Sequence, residues 1–392
     1  MPHRLSLVRR LALLRRLYTG ETDSSLMPAV VTACQRMVAD ERALLLQALD
    51  RDYTQRLLGD DNAVPLPPAL RSAVLPDAQT RAQQELEAAV LLAASRAMSC
   101  LHPWPGVAHW LTNRPGQLIR MVRPQPDGEL VLHLGAAVLA PLLSELWPRL
   151  TEEGAVVGLP GLRATVHRRH VELVRLGTNQ AARVHLANVS YRAWSAALAF
   201  TEAAYPEPNP LQWLGNDPTP LVAQEAEVLA GDETPANLTR LASCLLRRLR
   251  LLGQANQLNV SAPEHDQLRL RWCGEPTAAA VATKLVHPIA GLPDDKFLVV
   301  PEDKGVTIRC LDTDVSVELR PVEAGEISLA PPIVDVVSAW SAWGQRMCAP
   351  SQWSEQFWAK QREADTPPAL TPLGLASDSS ALRRPAPADH VE

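Results

Sequence analysis

The stretch ATVHRRHVELVRL (164–176) decides how the chain is read. Apolar and polar residues alternate on either side of it, which is the period of a half-buried strand, and the run His167–Arg168–Arg169–His170 interrupts that alternation as a turn does. In a strand, positions i and i+3 point to opposite faces. His167 and His170 are therefore badly placed for a His-x-x-His metal pair, which belongs on one helix face. The expectation is a hairpin with a basic, solvated tip and no metal or catalytic role.

The same stretch carries the first sign of an internal repeat. The string VEL occurs at 171–173 and at 317–319, and AWSA occurs at 193–196 and at 339–342, both at one offset. HLA (185–187) and SLA (328–330) precede the helices that hold the two AWSA strings. Working outward, ELVLHLG (129–135), AVVGLP, LRATVH, VELVRL and ARVHLA alternate as strands around a helix from Ala136 to Leu150, and a further helix follows Asn188 or Ser190. QLIRMVR (117–123), joined to ELVLHLG by PQPDG, adds one more strand in front. From 267 the order returns: QLRLRW, a helix from Pro276, KFLVVP, GVTIRCL, VSVELRP, GEISLA, and a helix from Pro332 to Met347. Where the first copy has its histidine tip, the second has RCLDTD. Val306, Ile308 and Cys310 share one face there, as do Val315, Val317 and Leu319.

The predicted fold class is α+β: an N-terminal helical domain followed by two related β-α-β4-α repeats with helical insertions. Residues 1–115 form the helical domain, with a Pro-containing break at 63–76, and 116–205 the first repeat. Residues 206–255 hold a Pro-rich loop and linking helices, 256–348 the second repeat, and 349–392 a Trp-containing segment and a Pro-, Ala- and Ser-rich disordered tail. The linking helix is well marked, with Thr234 as N-cap, Pro235 at the first helical position and Gly253 at C′. Its apolar stripe is Leu238, Leu241, Leu245, Leu249 and Leu252, and Arg240, Arg247, Arg248 and Arg250 lie mostly off it.

The order strand, helix, four strands, helix, present twice, resembles the TATA-binding-protein-like topology, in element order alone. That resemblance implies a saddle-shaped sheet reading DNA through basic and apolar residues. The first repeat offers Arg163, Arg168, Arg169 and Arg175, but the second offers Asp312, Asp314 and Glu318.

Composition narrows the function further. Hydrophobic residues make up 46% of 392 residues and charged residues 21%, which suits a globular protein, and the net charge of −5 gives no overall pull toward nucleic acid. Arginine dominates over lysine, which is confined to Lys284, Lys296, Lys304 and Lys360, as in GC-rich bacterial coding. Six separated cysteines without a CxxC pair read as reduced and structural, hence cytoplasmic. No apolar run is long enough for a membrane span. The Arg-rich N-terminus reads as an ordinary first helix with Leu7, Leu11, Leu14 and Tyr18 on one stripe.

No phosphate-binding glycine loop and no GxSxG elbow is present, and no cofactor is expected. PDDKFLVVPEDKG (293–305) resembles the PD-(D/E)xK nuclease pattern through Asp294 or Asp295, Glu302 and Lys304. Pro301 interrupts the strand, PEDKG is a turn sequence, and the first repeat has no acids there. Paired βαβββ units are also similar to metal-binding glyoxalase-type enzymes, but Arg269 or Leu270 stands where the first repeat has His133.

The expectation is a non-enzymatic interaction or adaptor subunit of a cytoplasmic bacterial multiprotein assembly, with other protein subunits as partners. Ten tryptophans against three phenylalanines point to Trp343, Trp353 and Trp358 as a partner surface. The second expectation is nucleic-acid binding through Arg168, Arg169, Arg247 and Arg248. The third is a metal-dependent, nuclease-like enzyme at 293–304.

Overall fold

Helix α1 (Leu7–Thr19) starts where Ser6 Oγ accepts the Arg9 N–H at 3.4 Å, and it ends at Gly20 with φ 71°. It packs on α2 (Asp23–Arg36) and α3 (Ala39–Asp50). The Pro-containing break holds a short helix, α4 (Pro68–Val74), because Pro68 occupies the first turn, where its missing N–H costs nothing. Leu11, Leu26, Val30, Leu45, Leu70 and Val74 make a small core here, and Ile289 from far along the chain joins it. The computed structural model describes residues 5–51, 66–99, 119–151, 153–177, 182–205, 212–213, 219–231, 235–253, 255, 257–323, 326–327 and 335–348. Of these, all belong to one compact unit spanning 1–348.

Helix α5 (Arg81–Ser99) leads into the first sheet. This comprises β1 (Ile119–Pro124) and β2 (Leu130–Leu134), then α6 (Ala136–Leu146) and two-residue strands β3 (Arg149–Leu150) and β4 (Val156–Val157). After them come β5 (Leu162–Val166), β6 (His170–Arg175), β7 (Ala182–Ala187) and α7 (Tyr191–Ala204). Ser190 caps α7, as its sequence suggests, by accepting the Ala193 N–H. The sheet order is β1-β2-β7-β6-β5, with β2 and β7 parallel and the other pairs antiparallel. The short strand β3 instead pairs antiparallel with β4 on one side and with β8 (Gln212–Trp213) on the other, in a separate small sheet.

The chain then forms α8 (Ala223–Ala230), α9 (Ala236–Arg247) and a 3-10 turn at Leu249–Leu252. The second sheet has β9 (Gln257–Glu264), β10 (Gln267–Cys273), α10 (Ala278–Leu285), β11 (Phe297–Glu302), β12 (Gly305–Cys310), β13 (Val315–Val322) and finally α11 (Val336–Cys348). Its order is β9-β10-β13-β12-β11, with β10 and β13 parallel and the rest antiparallel. The two sheets thus share strand order and strand sense.

Each half has two sheet strands before its first helix and three after, where the sequence reading had two and four in the first half and one and four in the second. β9 is the strand the reading lacked. AVVGLP supplies only Val156 and Val157, outside the main sheet. Of GEISLA, Glu326 and Ile327 are not in a strand and the remainder lies outside the described residues.

α5 is the central helix. It packs on α6, on α9, on β7 of the first sheet and on β9 of the second. α11 packs on α7, so the final helix of one half lies on the final helix of the other. One core runs through both halves, from Leu86 and Val90 on α5 to Leu132, Leu186, Trp194, Leu270, Trp272, Val317 and Trp340. Val336 flanks that core, whereas Val337 is 57% exposed. The last helix buries Ala339, Trp340 and Trp343.

Candidate interaction surfaces

Alternation along each strand gives each sheet one core face and one outward face. On the first sheet the core face carries Leu130, Leu132, Val171, Leu173, Val184 and Leu186. The outward face carries His133, His170, Glu172, Arg183 and His185, all half-exposed. These side chains hold one another. His185 Nε2 lies 2.8 Å from Glu129 Oε2, Arg183 Nε lies 3.1 Å from Glu172 Oε1, and Asn188 Nδ2 lies 3.2 Å from His133 Nδ1. The His167 and His170 rings stack with centroids 4.3 Å apart, and His185 lies 5.9 Å from His170. Partial burial, then the neighbouring His167 and His185, lower the His170 pKa, with Glu172 opposing. Burial and then Arg123 lower that of His133. At neutral pH both imidazoles are neutral hydrogen-bonding groups on this face.

Arg168 and Arg169 are exposed at the β5–β6 turn. Arg247 and Arg248 are elsewhere and inside, 0% and 2% exposed. Arg247 Nε and Nη2 reach the two Glu87 oxygens at 2.8 and 2.5 Å, and the remaining donors reach the carbonyls of Pro76 and Gly128. Arg248 is bidentate on Asp77, at 2.6 and 3.1 Å, and also donates to the carbonyls of Ala290 and Gly291. Burial alone would lower both guanidinium pKa values, but the adjoining carboxylates raise them, so both stay charged. The four arginines therefore do not form one surface. Arg247 and Arg248 are removed from the nucleic-acid face because the side of α9 away from its leucines is covered by α5 and by the 290–291 backbone.

The sequence reading missed the carboxylate partners, and this pairing recurs. Arg163 binds Glu225 at 2.6 Å, Arg15 binds Glu21 at 2.7 Å, and Arg175 binds Glu85 at 2.6 Å. Burial works to raise the Glu225 carboxyl, but Arg163 and the N–H groups of Gly161 and Val222 outweigh it and hold it below its ordinary range. The available signal was Glu87 sitting amid Leu86, Val90 and Leu91 on a helix otherwise buried on that side. Gly253 is also explained differently. Its φ is −68°, so it is no left-handed cap; a Cβ there would lie 2.5 Å from Arg250 Nη1, and the glycine makes room for that guanidinium.

Trp343 is 7% exposed and stacks edge-on against Trp340, which in turn meets Phe200 of α7 at 4.8 Å. It is a core residue between the two final helices, not a partner surface. Trp353 and Trp358 lie outside the described residues, as do Thr234 and the 349–392 tail.

At 293–304, Asp294 is buried and receives hydrogen bonds from Arg240 and Thr313, while Asp295 pairs with Arg71. Glu302 is exposed at the far end of β11, held by the Thr307 hydroxyl. β11 alone, at about 3.3 Å per residue, puts roughly 17 Å between its ends, so these acids do not share a metal. Among the described residues no group of three or more His, Cys, Asp or Glu side chains is placed to hold a metal ion, and no helix is long and apolar enough to cross a membrane.

The second sheet's outward face holds Arg269 and Arg320 on either side of Glu318, with Arg269 Nε 2.5 Å from Glu318 Oε2. At its β11 edge, Leu298 and Val300 are 48% and 42% exposed. Comparison with family models, with curated proteins and with solved structures gave no match.

Proposed function

We propose that this chain is a non-enzymatic interaction subunit of a bacterial cytoplasmic assembly and that the outward face of its first sheet meets another protein. The observation that carries this is the set His133, His170, His185, Glu129, Glu172 and Arg183. These groups are half-buried and, apart from His133, which is held by Asn188, lie within ion-pair or ring-contact range of one another, the condition in which polar groups bind with little ordering cost. Trp353 and Trp358 remain candidate partner contacts on the same reading. The two halves, alike in strand order and in the VEL and AWSA strings, are inferred to descend from a duplication. The likeness to the TATA-binding-protein topology reduces to two helix-backed sheets, because each half enters with two strands.

The test is affinity capture from the native host with the full chain, with and without nuclease treatment, repeated with Glu172→Arg and Arg183→Glu. Defined protein partners that survive nuclease and are lost with either variant are expected. Recovery that is unaltered by both variants would sink the assignment of this face.

A second reading, nucleic-acid binding, rests on exposed Arg168 and Arg169 at the β5–β6 turn.

A further inference from the structure

Three of the four sheet edges are engaged. At β1, the Pro124 carbonyl accepts from Arg15; at β9, the Val260 N–H and carbonyl both bond Ser95 Oγ of α5; and Arg163 of β5 is tied to the carbonyls of Thr219 and Pro220. β11, like β5, has one substantial neighbour among the described elements, in its case β12, but unlike β5 it has no side-chain tie to a covering loop among the described residues.

The register fixes what this edge offers. Leu311 N–H donates to the Lys296 carbonyl at 3.0 Å, so Lys296, Leu298, Val300 and Glu302 direct their main chain toward β12. Phe297, Val299 and Pro301 direct theirs to the free edge. Pro301 has no N–H to waste there, which suits an edge strand. Side chains follow the same alternation. Lys296, Leu298, Val300 and Glu302 are all exposed on the outward face, while Phe297 and Val299 pack against the core.

We propose that β11 pairs antiparallel with β11 of a second copy of this chain, about a two-fold axis through Val299, joining two sheets into one. An antiparallel two-fold pairing is self-complementary by symmetry. Centred on Val299, it uses every N–H the edge offers, Val299 to Val299 and Phe297 to Pro301. On the outward face it sets Lys296 opposite Glu302 of the second copy and Leu298 opposite Val300 of the second copy. Opposite charges thus flank an apolar centre at both ends, and the exposed Leu298 and Val300 cover one another. A centre shifted by two residues in either direction loses both charge matches. This inference does not rest on the identity of any partner bound to the first sheet.

Sedimentation equilibrium of the full chain tests it through charge exchange. The wild-type protein is expected to dimerise reversibly. Lys296→Glu sets Glu against Glu and Glu302→Lys sets Lys against Lys, so each variant should dimerise about tenfold more weakly. The double variant Lys296→Glu/Glu302→Lys should regain wild-type affinity. An equimolar mixture of the two single variants should form a heterodimer more tightly than either forms a homodimer. Circular dichroism of each variant confirms that it is folded. A chain that stays monomeric up to about 100 μM, or a dimer indifferent to these exchanges, overturns the proposal.

Discussion

Arg247 and Glu87 are joined in a setting where neither touches water. Taking away one partner strands the other, which costs far more than the pair is worth. Arg247→Ala should lower stability by about 3–5 kcal/mol, read from urea unfolding, whereas Arg168→Ala should change it by less than about 0.5 kcal/mol. A similar loss for both would mean that the buried pair is not stabilising in the way argued. His170 gives a pH signature. Its folded pKa lies below the ordinary value near 6.5. The unfolded chain therefore takes up a proton first, and stability should fall as pH drops from about 6.5 toward the folded value, with none of this loss above it. His170→Asn should flatten that part of the urea-midpoint curve against pH. An unchanged slope would show that burial and the neighbouring His167 and His185 do not lower the His170 pKa. Why the arginines were misread is plain at this scale. A guanidinium on a helix announces charge but not its partner, and Glu87 and Asp77 stand 160 and 171 residues from their arginines.

Among the elements, α11 shows what packing adds to pattern. Its tryptophans lie at i, i+3, which is legible as one face, but the surface that receives that face is α7 of the other half. No local signal specifies such a neighbour. Trp340→Ala should cost about 3–5 kcal/mol by removing its contacts with Phe200 and Trp343. Val337→Lys, on the exposed side, should stay within about 0.5 kcal/mol. If thermal melts show the two variants equal, α11 is not docked through its indoles. Trp353→Ala and Trp358→Ala are expected to weaken partner recovery while leaving the melt nearly unchanged, and unfolding by both would place those residues in a core. The strands with clean alternation, such as β10, β12 and β13, were readable because one face is buried throughout. β9 was not, since NQLNVSAPE offers few apolar positions and includes Pro263, and its edge is completed by Ser95 of α5. Likewise, the Pro67–Pro68 pair that suggests a break instead starts α4.

For the whole molecule, the α+β class was visible in the sequence. The outward histidine and carboxylate face was not, because its members come from β2, β6 and β7 and meet through sheet order. The nucleic-acid reading makes a separate demand. With two exposed cations at the turn, log affinity for duplex DNA against log salt should have a slope shallower than about −2, roughly −0.9 for each neutralised phosphate. Fluorescence anisotropy giving tight binding with a slope of about −1.8 that falls toward zero in Arg168→Gln/Arg169→Gln would favour that reading over the protein-interaction one.

The long reach of the Arg247–Glu87 and Arg248–Asp77 pairs also bears on how the molecule is made. On a ribosome adding about 5–20 residues per second, Glu87 emerges roughly 10–30 s before Arg247. In that interval α5 has the Glu87 carboxylate on the side it must bury and no cation to receive it. The central helix of the protein therefore cannot settle into place until α9 has been translated. Chains halted before residue 247 should remain soluble only while something else, such as a chaperone, shields the apolar face of α5.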